Sequence, residues 1–277
     1  RTTQRGSAAL CSSVGGRRGK LTLHLTGAAN HFHCDTRTSH WQTQTILKIA
    51  ARNTGGPTLN PLNLSLVWNC GAHFKETWPV SPIVDPSQQR YWIHHVSDAC
   101  REALLWKYGG IYMDTDVISI KPIQLEDFLV AESSTLCSSA VLGFRQNHPF
   151  LWDCMEDYVK NYDGNIWAKQ GPQLFTRMAA KLCKMPDFAT IGDGMCQNIS
   201  YLQPKRFYPI PYPDWRRYYA KWENEDNMFA MSYGLHFWNY MNRDHMEVTA
   251  GSSTVAEYIF KNYCPLTYHS LLKMKPS

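Results

Sequence analysis

The 277 residues contain no uninterrupted apolar run of about 18 residues, the length a helix needs to span a bilayer. They also lack any Cys-x-x-Cys pair, so nine cysteines do not imply zinc. No recognition-helix pattern, RNP aromatics or zinc-finger spacing is found, and the net charge of +5 is modest, so a nucleic-acid module is not expected. Acidic residues are almost absent from positions 1–75, where Asp35 stands alone among scattered Lys and Arg. Gly15–Gly19 and Asn53–Pro57 break any periodicity there, and the composition favours an atypical basic, poorly ordered segment over a folded module. Leu21–Leu25 alternates like one short strand, and Thr45–Ala51 has room for a helical turn or two. His24, His31, His33 and His40 fit no defined metal-site spacing.

What the chain does have is concentrated between Ser97 and Asp116. Leu104 and Leu105 follow Ala99 at helical spacing, which predicts an amphipathic helix from about Ser97 to Tyr108, with Ser97 or Asp98 near its start. Gly109-Gly110 then stops it, because two residues without Cβ atoms turn sharply at positive φ. Ile111-Tyr112-Met113 suits a short buried strand whose end delivers Asp114 and Asp116. At strand spacing both carboxylates point the same way, with Tyr112 read as lying opposite them. Two converging carboxylates repel unless a cation neutralises them, and hard oxygen ligands favour Mn²⁺ or Mg²⁺, ions that keep positions for water and phosphate oxygens. A solvated strand terminus is the bland alternative. A phosphatase of the haloacid dehalogenase type would need a later Lys and a second acidic pair, and no convincing set is found.

Ser97-Asp98-x-x-Arg101, Gly109-Gly110-x-Tyr112 and Asp114-x-Asp116, in this order and spacing, resemble the donor site of retaining GT-A glycosyltransferases. The similarity continues through Asn147–Phe150, Ile166-Trp167, Gln170–Pro172, Arg206–Pro209 and His236–Asn239, and is that of the Golgi α1,4-glycosyltransferase family. It runs from about Arg90 to Met274, roughly two thirds of the chain, and fades before that. The wording of Tyr112–Ile120 and Trp238–Asn242 is closer to members that transfer N-acetylglucosamine than to those that transfer galactose.

The resemblance implies an α/β fold of the GT-A nucleotide-sugar-binding type with a mostly parallel central sheet, its N-terminal part incomplete or atypical. Residues 76–277 are then the catalytic domain, the donor half reaching about 145 and the acceptor side covering 146–277. It implies Mn²⁺ (or Mg²⁺), a UDP-sugar donor with UDP-GlcNAc favoured, and a terminal galactose of mucin-type glycoprotein glycans as acceptor. The family consists of type II membrane proteins of the Golgi, so membrane association would run through an anchor absent from this chain, which suggests a truncated N-terminus. Galactosyl transfer to lactosylceramide, giving globotriaosylceramide, and a family fragment without turnover stay open as alternatives.

Site roles follow from the same resemblance. Asp116 is the first choice for direct metal ligation, Asp114 for a ribose or water-mediated metal contact, and His236 for a third ligand. Asp98 and Arg101, one helical turn apart, are expected to hold the hydroxyls and diphosphate of the donor, although Arg101 reads equally well as a structural partner of Asp98. For Tyr112, donor contact competes with core packing. Gln170 is placed near the reacting face, and because an amide is a poor nucleophile, front-face transfer is favoured over a covalent intermediate. In the aromatic-basic run Arg206–Tyr219, Trp215 and Tyr219 are candidate platforms for an acceptor sugar, against a stiff Pro-aromatic brace. Cys183 and Cys196 flank a short polar loop, have counterparts in the family, and are expected to pair; a buried thiol is the simplest reading of Cys100. The sequons Asn63-Leu-Ser65 and Asn198-Ile-Ser200 agree with a secretory compartment.

Downstream, Val117–Ile120, Phe128–Ala131 and Ala140–Phe144 read as strands. Phe150–Tyr162 and Gln173–Leu182 read as helices, with Pro149 in the first turn of the former. The backbone N–H groups at the start of the second helix suit an anionic or hydroxyl-rich ligand.

Overall fold

The computed structural model describes residues 30–33, 46–49, 88–183, 192–223 and 227–273. The expectations for Leu21–Leu25, for Asn63 and for most of positions 1–75 lie outside these residues. Strands β1 (Asn30–His33) and β2 (Ile46–Ile49) pair antiparallel, Asn30 opposite Ile49. This corrects the helical turn expected over 45–51, since two β-branched isoleucines in a run of four favour extended backbone.

The chain divides into two compact units. The sheet unit holds β1, β2 and described residues 88–115 and 125–203; the C-terminal unit holds described residues 116–124 and 204–273.

In the sheet unit, helix α1 (Trp92–Tyr108) starts ahead of Ser97. Its cap, Tyr91, makes no side-chain bond, and the Tyr91 N–H instead donates to the Gly164 carbonyl at 2.9 Å. A tertiary contact sets this end, so no local signal marked it. The helix buries His95, Asp98, Arg101 and Glu102 beside Ala99, Cys100 and Leu105, an inner face rich in ionisable groups. Gly109 (φ 65°) closes it by donating its N–H to Leu105 O at 2.8 Å, and a Cβ there would lie 2.5 Å from the Gln146 nitrogen. Glycine is thus required both for the backbone angle and for the space.

Strand β3 (Gly110–Met113) follows; β4 (Val117–Ser119) belongs to the C-terminal unit. The sheet is completed by β5 (Phe128–Ala131), β6 (Cys137–Phe144), β7 (Gly194–Cys196) and β8 (Ile199–Leu202), in the order β3-β6-β5-β8-β7. Among the described strands only β5 and β8 run parallel, which corrects the mostly parallel sheet expected. The connections explain it: β5–β6 and β7–β8 are joined by short turns that can link only antiparallel neighbours, whereas β5 reaches β8 through two helices. Strands β5 and β6 are buried along their whole length, so their unbroken apolar runs imitate a parallel sheet covered on both faces.

Helix α2 (Pro149–Lys160) has Pro149 in its first turn, and His148 Nδ1 accepts the Phe150 N–H at 3.2 Å. Its Phe150, Leu151, Cys154 and Met155 join Leu129, Leu142, Phe144 and, from α3 (Pro172–Leu182), Leu174 and Phe175 in one core. Each fully buried side chain of this kind contributes about 1.5–3 kcal/mol. A disulfide joins Cys183 at the end of α3 to Cys196 in β7, and Cys100 is a buried thiol. Gln197 (φ 50°) and Asn198 (φ 63°) form the two-residue turn between β7 and β8, left-handed at both positions as the favoured hairpin turn requires.

In the C-terminal unit, β4 pairs antiparallel with β9 (Gly234–His236), Val117 opposite His236. Helix α4 (Val255–Tyr263) is capped by Thr254, which accepts the Glu257 N–H at 3.2 Å, and α5 (Pro265–Lys273) follows. Ile118, Ile210, Tyr218, Leu235, Phe237, Ile259 and Phe260 form its core. No helix among the described residues is long and apolar enough to cross a membrane.

Candidate functional site

The predicted site residues fall into two clusters, one in each unit. In the sheet unit, α1 turns Asp98 and Arg101 inward onto β6, and Gly109-Gly110 reverses the chain so that β3 brings Tyr112 and Asp114 beside them. The Arg101 guanidinium is the hub. It donates to Ser139 O at 2.6 Å and to Asp114 Oδ1 at 3.2 Å, its Nε lies 3.4 Å from Asp98 Oδ1, and its plane sits 4.6 Å from the Tyr112 ring centroid. The Tyr112 hydroxyl also donates to Asp114 Oδ1. Tyr112 therefore lies on the same side as Asp114, correcting the opposite placement: residues two apart share a strand face.

Burial governs the charges here. It raises the Asp98 carboxyl, and Arg101 partly offsets that. For Arg101 burial acts to lower the pKa, but Asp114, Tyr112 and Asp98 outweigh it and hold the guanidinium firmly charged. Burial, with Asp114 as hydrogen-bond acceptor, raises Tyr112 far above the ordinary phenol range, so it stays a neutral donor. Asp98 and Arg101 are both buried, their polar atoms directed at neighbours. A Cβ on Gly171 would stand 2.8 Å from Asp98 Oδ1 and from Ser139 Oγ, so the bare glycine at the start of α3 admits the carboxylate to the positive end of the helix. The place expected for a ligand at that helix start is thus approached by a residue of the chain itself.

Gln170 does not reach a reacting face. It is fully buried, donates Nε2 to Tyr158 O at 2.6 Å and accepts from Arg177 at 3.4 Å. Both ends of the amide are engaged in bracing α2 against α3, so the catalytic role expected for it is withdrawn.

In the C-terminal unit the Asp116 carbonyl accepts the Phe237 N–H at 2.9 Å, extending the β4–β9 ladder by one step. That step sets Asp116 Oδ1 3.4 Å from His236 Nε2. Trp238 takes a left-handed backbone (φ 54°), and the next N–H, of Asn239, donates to Asp116 Oδ2 at 2.8 Å. A bulky residue at positive φ is a strained choice that the surroundings must hold. Trp238 is held by its indole N–H on Ile210 O at 2.9 Å and by ring contacts with Tyr208 and Tyr212. His236 Nδ1 accepts the Trp238 N–H at 3.2 Å. A carboxylate oxygen and an imidazole nitrogen held side by side fit two ligands of one divalent ion. Asp114 and Asp116 do not lie in a strand; they fall in the connection between β3 and β4, each anchored by its own partners.

Trp215 is buried, with its ring edge to Tyr219 and against the Arg216 guanidinium, which corrects the platform role: no face of this indole is left for a sugar. Tyr219 is half-buried, its hydroxyl accepting from Asn242 at 3.1 Å. Asn198 is exposed at its hairpin turn. Sequence reasoning missed Ser139, His95 and Glu102. His95 Nε2 lies 3.1 Å from Ile166 O and 3.2 Å from Trp167 O, and Glu102 is fully buried, neither of its carboxylate oxygens hydrogen-bonded among the described residues. Ionisable residues inside an amphipathic helix read as its wet face, so only the tertiary structure reveals His95 and Glu102, and Ser139, inside β6, carries no local signal.

Residues 143–271 match the family described as the Alpha 1,4-glycosyltransferase conserved region, and residues 28–136 match the Glycosyltransferase sugar-binding region containing DXD motif. The second match begins well before Arg90, so the family signal extends into the N-terminal segment where the resemblance had faded. Human Alpha-1,4-N-acetylglucosaminyltransferase is 51% identical over 190 residues, covering 69% of this chain and 56% of that protein. Lactosylceramide 4-alpha-galactosyltransferase of Pongo pygmaeus is 37% identical over 187 residues, 66% of this chain and 84% of its own sequence. The Mus musculus protein of the same name is 38% identical over 188 residues, 66% of this chain and 51% of its own. The chain thus spans little more than half the length of most of the curated relatives named. No solved structure matches it.

Proposed function

The chain belongs to the α1,4-glycosyltransferase family, and on that premise we propose that it transfers N-acetylglucosamine from UDP-GlcNAc, with retention and in α1,4 linkage, to a terminal galactose of a mucin-type glycan. The observation that carries the reading is the Asp116–His236 pair, 3.4 Å apart, at the end of a strand pair whose geometry leaves little freedom to either side chain. The higher identity to the N-acetylglucosaminyl relative than to the galactosyl ones supports the donor.

We assign Asp116 and His236 as ligands of a divalent ion, Mn²⁺ before Mg²⁺, with Asp114, separated from Asp116 by Thr115 alone, as the further oxygen donor. When bound, such an ion offsets charge on the diphosphate leaving group. The chain's own residues do the rest. Asn239 N–H fixes one Asp116 oxygen, and Arg101 and Tyr112 fix Asp114, so Asp98, Arg101 and Tyr112 serve the donor through Asp114 as positioning residues. Gln170 is engaged between α2 and α3, no described carboxylate is assigned as a nucleophile, and front-face transfer is the reading we adopt; isolation of a covalent glycosyl-enzyme adduct from a slow donor would contradict it. The parallel β5–β8 pair with its helical crossover supports a GT-A type fold. We assign residues 76–277 to catalysis, to about 145 for the donor and 146–277 for the acceptor, in a Golgi-lumenal setting.

Calorimetric titration with UDP-GlcNAc in Mn²⁺ tests the reading. Binding that vanishes on chelation supports it, tighter binding of UDP-galactose selects the galactosyl alternative, and no binding of either donor leaves a family fragment without turnover.

A further inference from the structure

The turn after β9 carries a residue choice that metal ligation alone does not explain. Position 238 holds a left-handed backbone (φ 54°), and what serves the site there is main chain: the Trp238 N–H bonds His236 Nδ1 and the next N–H bonds Asp116. Glycine would supply both without strain. Tryptophan is a costly residue for these angles, so the indole itself accounts for its place.

That indole links the metal end to the surface. Its ring lies 4.4 Å from His236 and 5.1 Å from Tyr208, centroid to centroid, and meets Tyr212 at 5.7 Å with the planes 79° apart. An edge-on contact leaves at least one face of the tyrosine ring uncovered, and Tyr212 is 50% exposed. Pro211 and Pro213 restrict the backbone on either side of it. A rigid aromatic face one side chain away from a metal ligand suits a sugar ring, whose C–H groups pack on the π-surface at little cost in side-chain freedom. Two other aromatic residues of this unit are less open: Trp215 is buried, and the Arg243 guanidinium lies over Tyr240, 5.2 Å from its centroid.

The match that contains the DXD motif ends at residue 136, whereas Tyr212 and Trp238 fall within the α1,4-glycosyltransferase match at 143–271. The platform therefore goes to the second substrate and not to the donor. We infer that Tyr212 carries the apolar face of the acceptor galactose, with Trp238 as the residue that positions it. A β-galactoside gathers its C3, C4 and C5 hydrogens on one face and projects the axial O4 from the other. Seated on Tyr212 by the first face, the sugar keeps O4 uncovered. The inference rests on the transferase reading above and deepens it by naming the residues that hold the acceptor.

The test is saturation-transfer NMR of the whole chain with methyl β-galactoside in the presence of UDP and Mg²⁺, run beside a calorimetric titration with UDP and Mn²⁺. Tyr212→Ala, a change at an exposed position, is expected to weaken galactoside binding about tenfold. Tyr212→Phe should preserve it, and UDP affinity should stay at the wild-type value in both. Trp238→Gly suits the backbone angle and should reproduce the galactoside loss with UDP affinity kept. In turnover, Tyr212→Ala should raise the acceptor KM far more than it lowers kcat, as when binding common to ground and transition states is removed. Galactoside affinity unchanged in Tyr212→Ala, or no galactoside binding by the wild-type chain, overturns the platform; UDP binding in the same samples leaves the transferase reading standing. A Tyr212→Ala loss confined to UDP affinity gives the ring to the donor and also overturns the platform. Tyr212-dependent galactoside binding without UDP binding keeps the platform and overturns the transferase reading.

Discussion

The hydroxyl of Tyr112 and Nη1 of Arg101 converge on the same oxygen, Oδ1 of Asp114. Removing the first, Tyr112→Phe, takes away a hydrogen bond to a charged acceptor and leaves the ring in the core. A loss of about 1.5–3 kcal/mol in urea unfolding is expected, together with a lower kcat for the Mn²⁺-dependent reaction. Unchanged kinetics would remove Asp114 from the site.

Arg101→Ala is the harsher change. It strands Asp98, Asp114 and the Ser139 carbonyl in a buried setting, and breaking a buried charge cluster from one side costs about 3–5 kcal/mol. Arg101→Lys restores the charge but not the fork that spans three acceptors, so recovery should be partial. Thermal unfolding of the pair checks this.

Asp116→Asn keeps an acceptor for the Asn239 N–H and removes one charge at a partly exposed side chain. Folding should be retained, while turnover falls about 10²–10³-fold, as when one preorganised stabilising group is lost. Near wild-type turnover would end the metal assignment.

Glu102 gives a pH signature. Burial raises its carboxyl well above the ordinary value of 4.5, with Asp98 adding to the effect and Arg101 and Arg177 opposing it. The native state therefore keeps a proton that the unfolded state releases. Below about 4.5 both states are protonated and the group is neutral in its effect; above it, stability falls as pH rises until the folded-state pKa is passed. Glu102→Leu should remove that slope and add about 1–3 kcal/mol at neutral pH by eliminating an unsatisfied buried polar group. Denaturant midpoints across the range decide it, and a variant as pH-dependent as wild type refutes the argument.

Gly109→Ala tests the turn before β3. The backbone angles there (φ 65°, ψ 179°) suit glycine alone, at about 1–3 kcal/mol for any other residue, and the Gln146 nitrogen blocks the new methyl group. Lower stability and lower kcat are expected together, because the turn aims the strand that ends at Asp114.

Much of the local structure was legible in the sequence, because its signals are local. Gly109-Gly110 ended a helix, Pro149 began one, and the apolar runs at Phe128–Ala131 and Ala140–Phe144 became strands. Strand direction was not legible, since β5 and β6 are buried on both faces and their composition carries no mark of a neighbour's orientation. The beginning of α1 was hidden for a related reason: Gly164, far along the chain, caps it. At the candidate site, periodicity paired Asp98 with Arg101 across one turn, but it could not reveal that Arg101 would also serve Asp114 and Ser139. Gln170 failed because a motif match names a residue without saying which way its amide faces.

Among the described strands, β7, in the hairpin that turns at Asn198, is the outermost of its sheet, with Met195 bare on it. An open edge of this kind invites a strand from another molecule. If the sequon at the hairpin tip is used, its oligosaccharide stands guard over that edge.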